Sequence, residues 1–283
     1  MILLLRGGLG NQMFRYAFGY LQSTKLKKNL YIIDLTSFES TPRNFSLEVF
    51  GIKRYIKNKT VLRFFNLFFY ILGIICKKIP LLSKFYIRDS NYCELKTLSL
   101  NNAFILDGHM QKSNYFVEDR EKVKSIFTFP KVPKNHQIVD FSLNKKYVAM
   151  HIRRGDYVSD NKSQELHLVC DMDWYLKALD LLNSKIDNTQ LIIFTDDEFW
   201  VKEQFKKTDH DVFVVPNNED REPWIDLYFI SRCDHFIISN SSFSWWGAFL
   251  GEVEDSLVIV PKYWFKGIKT DSIGICPANW LQI

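Results

Sequence analysis

From residue 147 to 260, short runs rich in Val, Ile and Leu alternate with helically patterned stretches, and no other feature restricts the fold as strongly. Strands are expected at 147–152, 190–194, 212–215, 235–239 and 257–260, with helices at 174–182, 198–205, 224–231 and 244–250 between them. Continuously apolar strands need cover on both faces, and parallel neighbours need a crossover helix, so this half reads as a Rossmann-like parallel α/β sheet. The first half opens the same way, with a strand at 2–5, a glycine turn, a helix at 11–27 and a strand at 30–34. It then becomes irregular until a strand at 103–107. The polar, proline-bearing stretch 129–146 reads as a linker, which divides the chain into domains 1–140 and 141–283.

With 283 residues, 47% hydrophobic and 24% charged, the chain can bury two modest cores, and disorder is excluded. Its five cysteines (76, 93, 170, 233, 276) are odd in number and form no C-x-x-C, which points to free thiols in a reducing compartment. The net charge of +5 conceals a block from Lys53 to Arg88 with nine Lys or Arg and no Asp or Glu. This charge flanks the apolar run 64–76 (FFNLFFYILGIIC) instead of spreading along a groove, which argues against a nucleic-acid partner. Thirteen residues are too few for a bilayer span of about 20, and MILLLR is too short for a signal peptide. The expectation is a cytoplasmic protein. Residues 53–88 are either a core helix flanked by charge or a peripheral contact with anionic lipid at the inner membrane.

Three segments carry candidate chemistry. Residues 6–12 (RGGLGNQ) sit between a strand and a helix, where glycines let backbone N–H groups approach an anion. Gly8 and Gly10 match two-thirds of a dinucleotide fingerprint, and Asp34 ends the next strand where a ribose-binding acid would lie, but position 13 is Met. Residues 151–157 (HIRRGDY) leave a strand end, where the guanidinium forks of Arg153 and Arg154 suit a diphosphate and Asp156 supplies a carboxylate; an exposed turn is the plainer alternative. Ser239, Asn240, Ser241 and Ser242 precede a helix, so they cap it, cradle phosphate, or both. The D-x-D of Asp171 and Asp173 opens a helix and reads as capping more simply than as a metal site. His167-x-x-Cys170 lacks further ligands at zinc spacing. Trp245 and Trp246 read as core more than as a stacking platform.

Taken together, GGLGNQMFRYAFG (7–19), HIRRGDYV (151–158), FTDD (194–197) and ISNSSFSWWGAFL (238–250) resemble the α-1,2-fucosyltransferases of glycosyltransferase family 11. The resemblance implies a GT-B-like fold of two facing Rossmann-like domains. It also implies inverting, metal-independent transfer of L-fucose from GDP-fucose to the 2-hydroxyl of a galactose in a glycan acceptor. Carried over by position, Arg153 would hold the donor diphosphate, with His151, Arg154 and Asp156 as neighbours and Asp156 the expected base. Asp226 would read guanine, and Ser241, Ser242 and Phe243 would sit by the diphosphate. Gly8, Gly10, Asn11 and Gln12 would form the loop on the sugar and acceptor side. Animal relatives carry a membrane anchor ahead of the catalytic part, whereas this chain opens on its first strand, so a bacterial enzyme of O-antigen or polysaccharide synthesis is expected, its acceptor lipid-linked if the membrane contact holds. The alternatives are a nicotinamide-dinucleotide oxidoreductase and a non-catalytic sugar-binding protein.

Overall fold

The computed structural model describes residues 1–39, 41–79, 81–82, 85–89, 104–141, 145–154, 170–218, 220–265 and 274–283. The chain forms two compact units, Met1–Pro130 and Lys131–Ile283. The boundary falls ten residues before the expected position 140. Within the stretch that changes sides, the Asp140 carbonyl accepts from Tyr147 Oη of the second unit at 3.5 Å.

The first unit is a four-stranded, all-parallel sheet in the order β2-β1-β4-β3. Its strands are β1 (Ile2–Leu5), β2 (Tyr31–Asp34), β3 (Tyr86–Asp89) and β4 (Ile105–Gly108). Helix α1 (Leu9–Lys25) follows β1 and buries Met13, Phe14, Ala17, Phe18 and Leu21, a spacing of three and four that lays one face on the sheet. Helix α2 (Lys59–Lys78) crosses to β3, and α3 (Arg120–Ile126) closes the unit. The sequence showed no strand at Tyr86–Asp89, which begins inside the basic block and ends one residue beyond it.

Helix α2 contains the run 64–76 and extends beyond it at both ends. It runs 20 residues rather than 13, long and apolar enough to cross a bilayer by length and composition. Leu62, Phe69, Gly73 and Cys76 are its buried residues, so the core of the first unit covers one face of it. Asn58 caps it, accepting from the Thr60 and Val61 N–H groups at 2.9 and 3.2 Å.

The second unit is a six-stranded parallel sheet in the order β10-β9-β8-β5-β6-β7. The strands are β5 (Lys146–Ile152), β6 (Thr189–Thr195), β7 (Val212–Val214), β8 (His235–Ile238), β9 (Val258–Val260) and β10 (Leu281–Gln282). Between them lie α4 (Met172–Asn183), α5 (Glu198–Phe205), α6 (Pro223–Ser231) and α7 (Ser242–Gly251), each within two residues of its expected bounds. The apolar runs are legible because these strands are covered on both faces; Val148 through Met150 and Phe236 through Ile238 are fully buried. Trp245 and Trp246 are core, with Trp245 Nε1 donating to the Ile275 carbonyl at 2.9 Å. Cys76, Cys170, Cys233 and Cys276 are buried free thiols, while Cys93 lies outside the described residues.

Candidate active site

A parallel sheet binds ligands beyond the carboxyl ends of its strands, at the point where strand order reverses. In the second unit the chain steps from β5 outward to β6 and β7, then returns to the other side of β5 with β8. The reversal lies between β5 and β8, so the residues that follow these two strands form the candidate site. They are His151–Arg154 and Ser239–Phe243.

His151 joins the two edges. Its Nδ1 lies 3.2 Å from Ser239 Oγ, and its ring stands 5.7 Å from that of Phe243. Burial, reinforced by the Arg153 cation, lowers its pKa to about 4, so the ring is neutral at pH 7. The Arg153 guanidinium pairs with Asp196 at the end of β6, its Nη1 2.9 Å from Oδ2. Asp196 also accepts the Arg154 backbone N–H at 2.8 Å, so one carboxylate orders both residues. Arg154 itself is directed to α5: it pairs with Asp197 Oδ2 at 3.3 Å and lies 3.7 Å from the centre of the Trp200 ring. Asp156 and His167 lie outside the described residues.

Helix α7 begins at the same edge. Ser241 occupies its N-cap position, yet its side chain makes no cap hydrogen bond and no acid stands in the first turn of the helix. The expectation of a capping serine is therefore corrected. An uncapped helix start directs N–H groups and partial positive charge outward, which suits an anion. Asn240, buried, is occupied by the Trp264 carbonyl at 2.9 Å. Asp226 sits in the first turn of α6, again at the carboxyl edge of the sheet, and pairs with Arg221 at 2.7 Å. Burial raises its pKa against the opposing pull of Arg221. Asp171 caps α4, accepting from the Trp174 N–H at 2.9 Å, as its position before that helix predicts.

In the first unit strand order reverses between β1 and β4, and there a cavity of about 720 Å³ opens. Its polar lining comprises Arg6, Arg15, Arg63, Glu39, Asp107 and His109. Asp107 anchors it, 3.8 Å from both Arg6 Nε and Arg15 Nη1 and accepting from Tyr86 Oη at 2.7 Å. Burial, then Arg15, lowers the His109 pKa to about 4. The sequence reading missed these residues, although Arg6 and Asp107 stand at strand ends, where the edge rule alone would have found them.

The glycine loop behaves differently from its dinucleotide reading. Gly7 has φ 80° and a Cβ there would lie 2.6 Å from Asn11, so only glycine fits. Its N–H donates to Glu39 at 2.5 Å, placing a protein carboxylate where the dinucleotide alternative would put a phosphate. Gln12 is fully buried; its amide donates to the Gly7 and Asn44 carbonyls at 2.9 and 2.8 Å and accepts the Ser46 N–H at 2.9 Å, which serves the fold. Asn11 accepts from Gln111 at 2.7 Å. Gly8 stands before α1 with open space where a Cβ would point, whereas Gly10 is buried in the first turn. Asp34, the expected ribose acid, is buried and held by Arg54 at 2.6 Å and Thr36 Oγ1 at 2.7 Å.

Against known proteins, the family model described as Glycosyl transferase family 11 matches residues 1–281. An α-1,2-colitosyltransferase of Escherichia coli is 32% identical over 99% of this chain and 97% of its own length. The O-antigen biosynthesis glycosyltransferase WbnK of Escherichia coli is 30% identical over 93% and 94%. Among solved structures, the α-1,6-fucosyltransferase NodZ soaked with GDP-fucose has a TM-score of 0.52 at 15% identity, covering 88% of this chain and 91% of that one. That likeness shows the fold to be GT-B, two parallel-sheet α/β units.

Proposed function

The chain belongs to glycosyl transferase family 11, and from that premise we propose that it transfers L-fucose with inversion from GDP-fucose to the 2-hydroxyl of a galactose in a glycan acceptor. As a glycosyltransferase it is neither an oxidoreductase nor a non-catalytic lectin. The observation that carries the donor reading is the convergence, at the reversal point of the second sheet, of an oriented arginine and an uncapped helix start.

Breaking the bond between sugar and diphosphate builds negative charge on the β-phosphate. Donors fixed in advance around that charge lower the barrier without reorganising. Arg153 presents a planar fork already held by Asp196, and the Ser242 and Phe243 N–H groups at the start of α7 add a second set. The neutral His151 orients the edge between them without competing for the phosphate as a cation. Asp226 is the guanine-reading acceptor in this scheme, its carboxylate already ordered by Arg221. Asp156 is the proposed base, and no metal is assigned a role. The cytoplasm is the proposed compartment, a reducing one that suits four buried free thiols.

The 32% identity to a colitosyltransferase supports a second reading, in which the donor sugar is colitose, which lacks one hydroxyl of fucose. Purified protein incubated with GDP-fucose or GDP-colitose and a panel of β-galactosides, followed by mass and linkage analysis, decides between them. An α-1,2-fucosylated product is expected. A product only with GDP-colitose establishes the second reading, and no product with either donor overturns both.

A further inference from the structure

Helix α2 is apolar around most of its circumference, yet the protein covers only one side of it. Leu62, Phe69 and Cys76 face inward and pack with Leu4, Ile33 and Leu35, and the Phe69 carbonyl accepts from Tyr86 Oη at 3.3 Å. On the opposite side Phe64, Leu67, Phe68, Ile71, Ile74 and Ile75 follow helical spacing and remain 41–67% exposed. A stripe of this kind along a helix of about 30 Å exceeds the isolated apolar side chains of ordinary surfaces.

We propose that α2 lies flat on an anionic lipid surface, with its outer stripe in the acyl boundary and the lysines at its two ends against the head groups. Charge selects this occupant. Exposed Lys53, Lys57 and Lys59 precede the stripe and exposed Lys77 and Lys78 follow it, within a block that contains no Asp or Glu. A second copy docking through the same face would bring these like charges together, whereas phosphate head groups neutralise them. Spanning the bilayer is excluded by the inner face, since insertion would strip Leu62, Phe69 and Cys76 from the sheet. Arg63, Asn66 and Tyr70, on the flank of the same helix, line the 720 Å³ cavity of the first unit. Docking would therefore hold that cavity beside the membrane surface, where a lipid-linked glycan presents its sugars; this last consequence rests on the proposed transferase function, but the docking itself does not.

Sedimentation with vesicles of phosphatidylcholine alone, or with about one-third phosphatidylglycerol, tests the proposal at low and high salt. Wild type should pellet with the anionic vesicles, stay in solution with the neutral ones, and be released by salt. Two variants accompany it: K53E/K57E/K77E/K78E, which reverses the end charges, and F64N/F68N/I71N/I75N, which removes the stripe at exposed positions. Each should partition at least about tenfold more weakly while keeping the wild-type melting temperature. Transfer to a soluble acceptor should be unchanged in both, so failure to dock and failure of the proposed reaction are read separately. Wild type left in the supernatant with anionic vesicles, or pelleting equally in both variants, overturns the proposal. So does light scattering that finds a dimer dissolved by the asparagine variant without any vesicle capture, which assigns the stripe to a second copy.

Discussion

Arg153 and Arg154 are adjacent in sequence and divergent in use. The first pairs with Asp196, and the second is stacked on Trp200 and paired with Asp197. Arg153→Lys keeps the charge but loses the planar fork, so kcat should fall at least about a hundredfold, equivalent to about 2.7 kcal/mol. Turnover near wild type in steady-state assays would remove Arg153 from the diphosphate. His151 carries a separate expectation. Its folded pKa of about 4 lies below the 6.5 of an unfolded histidine, so its contribution is intact above pH 6.5 and is lost as pH falls towards 4. That difference is worth about 3 kcal/mol. Melting temperatures of wild type and His151→Asn, followed from pH 7 to 4.5, should converge as pH falls; parallel curves would refute the assignment.

Helix α7 combines a tight fit with an open end. A Cβ on Gly251 would lie 2.4 Å from the Ser231 carbonyl oxygen and 2.9 Å from the Phe236 ring, and a backbone atom cannot swing aside. Gly→Ala within a helix ordinarily stabilises by up to about 1 kcal/mol, but here overpacking should reverse the sign and cost about 1–3 kcal/mol in denaturant unfolding. Stabilisation by Gly251→Ala would show that α6 and α7 are less closely packed. At the other end, Ser242→Asp places an acid at an uncapped helix start and should add about 0.3–1 kcal/mol of stability. The same charge occupies the proposed phosphate seat, so calorimetry should find GDP binding lost. A variant that is more stable and still binds GDP would separate the helix start from the nucleotide.

In the whole molecule, two parallel sheets each reverse strand order once, and each reversal collects charged side chains: Arg153 and Asp196 in one, Arg6, Arg15 and Asp107 in the other. The proposed reaction relies on this protein-borne charge, and Asp171, the leading residue of the D-x-D, is engaged as the cap of α4. Turnover should therefore survive treatment with EDTA. Activity lost with chelator and restored by Mn²⁺ or Mg²⁺ would assign the reaction a metal.

Much of this was legible along the chain, because parallel strands covered on both faces must be continuously apolar and helices such as α1 and α4 bury residues at helical spacing. Five of the six strands of the second unit and the helices between them were therefore legible, the two-residue edge strand β10 being too short to show a pattern, and the site motifs stood at predictable strand ends. What the residues did with that position was not legible. Gly8 and Gly10 resemble a phosphate loop, but Glu39, 32 residues beyond Gly7, already takes the Gly7 N–H. Asp34 ends a strand like a ribose acid, but Arg54 neutralises it from a separate segment. Arg153 and Arg154 are chemically identical, and only the placement of Asp196, Asp197 and Trp200 on neighbouring elements sends them in different directions. The apolar run in α2 shows the same limit: its composition establishes that it must leave water, but whether protein or lipid covers each face depends on how much of the helix the sheet can reach. Periodicity is a local property and survives in the sequence, whereas the pairing of charges and the covering of a helix face are settled by residues that become neighbours only when the chain folds.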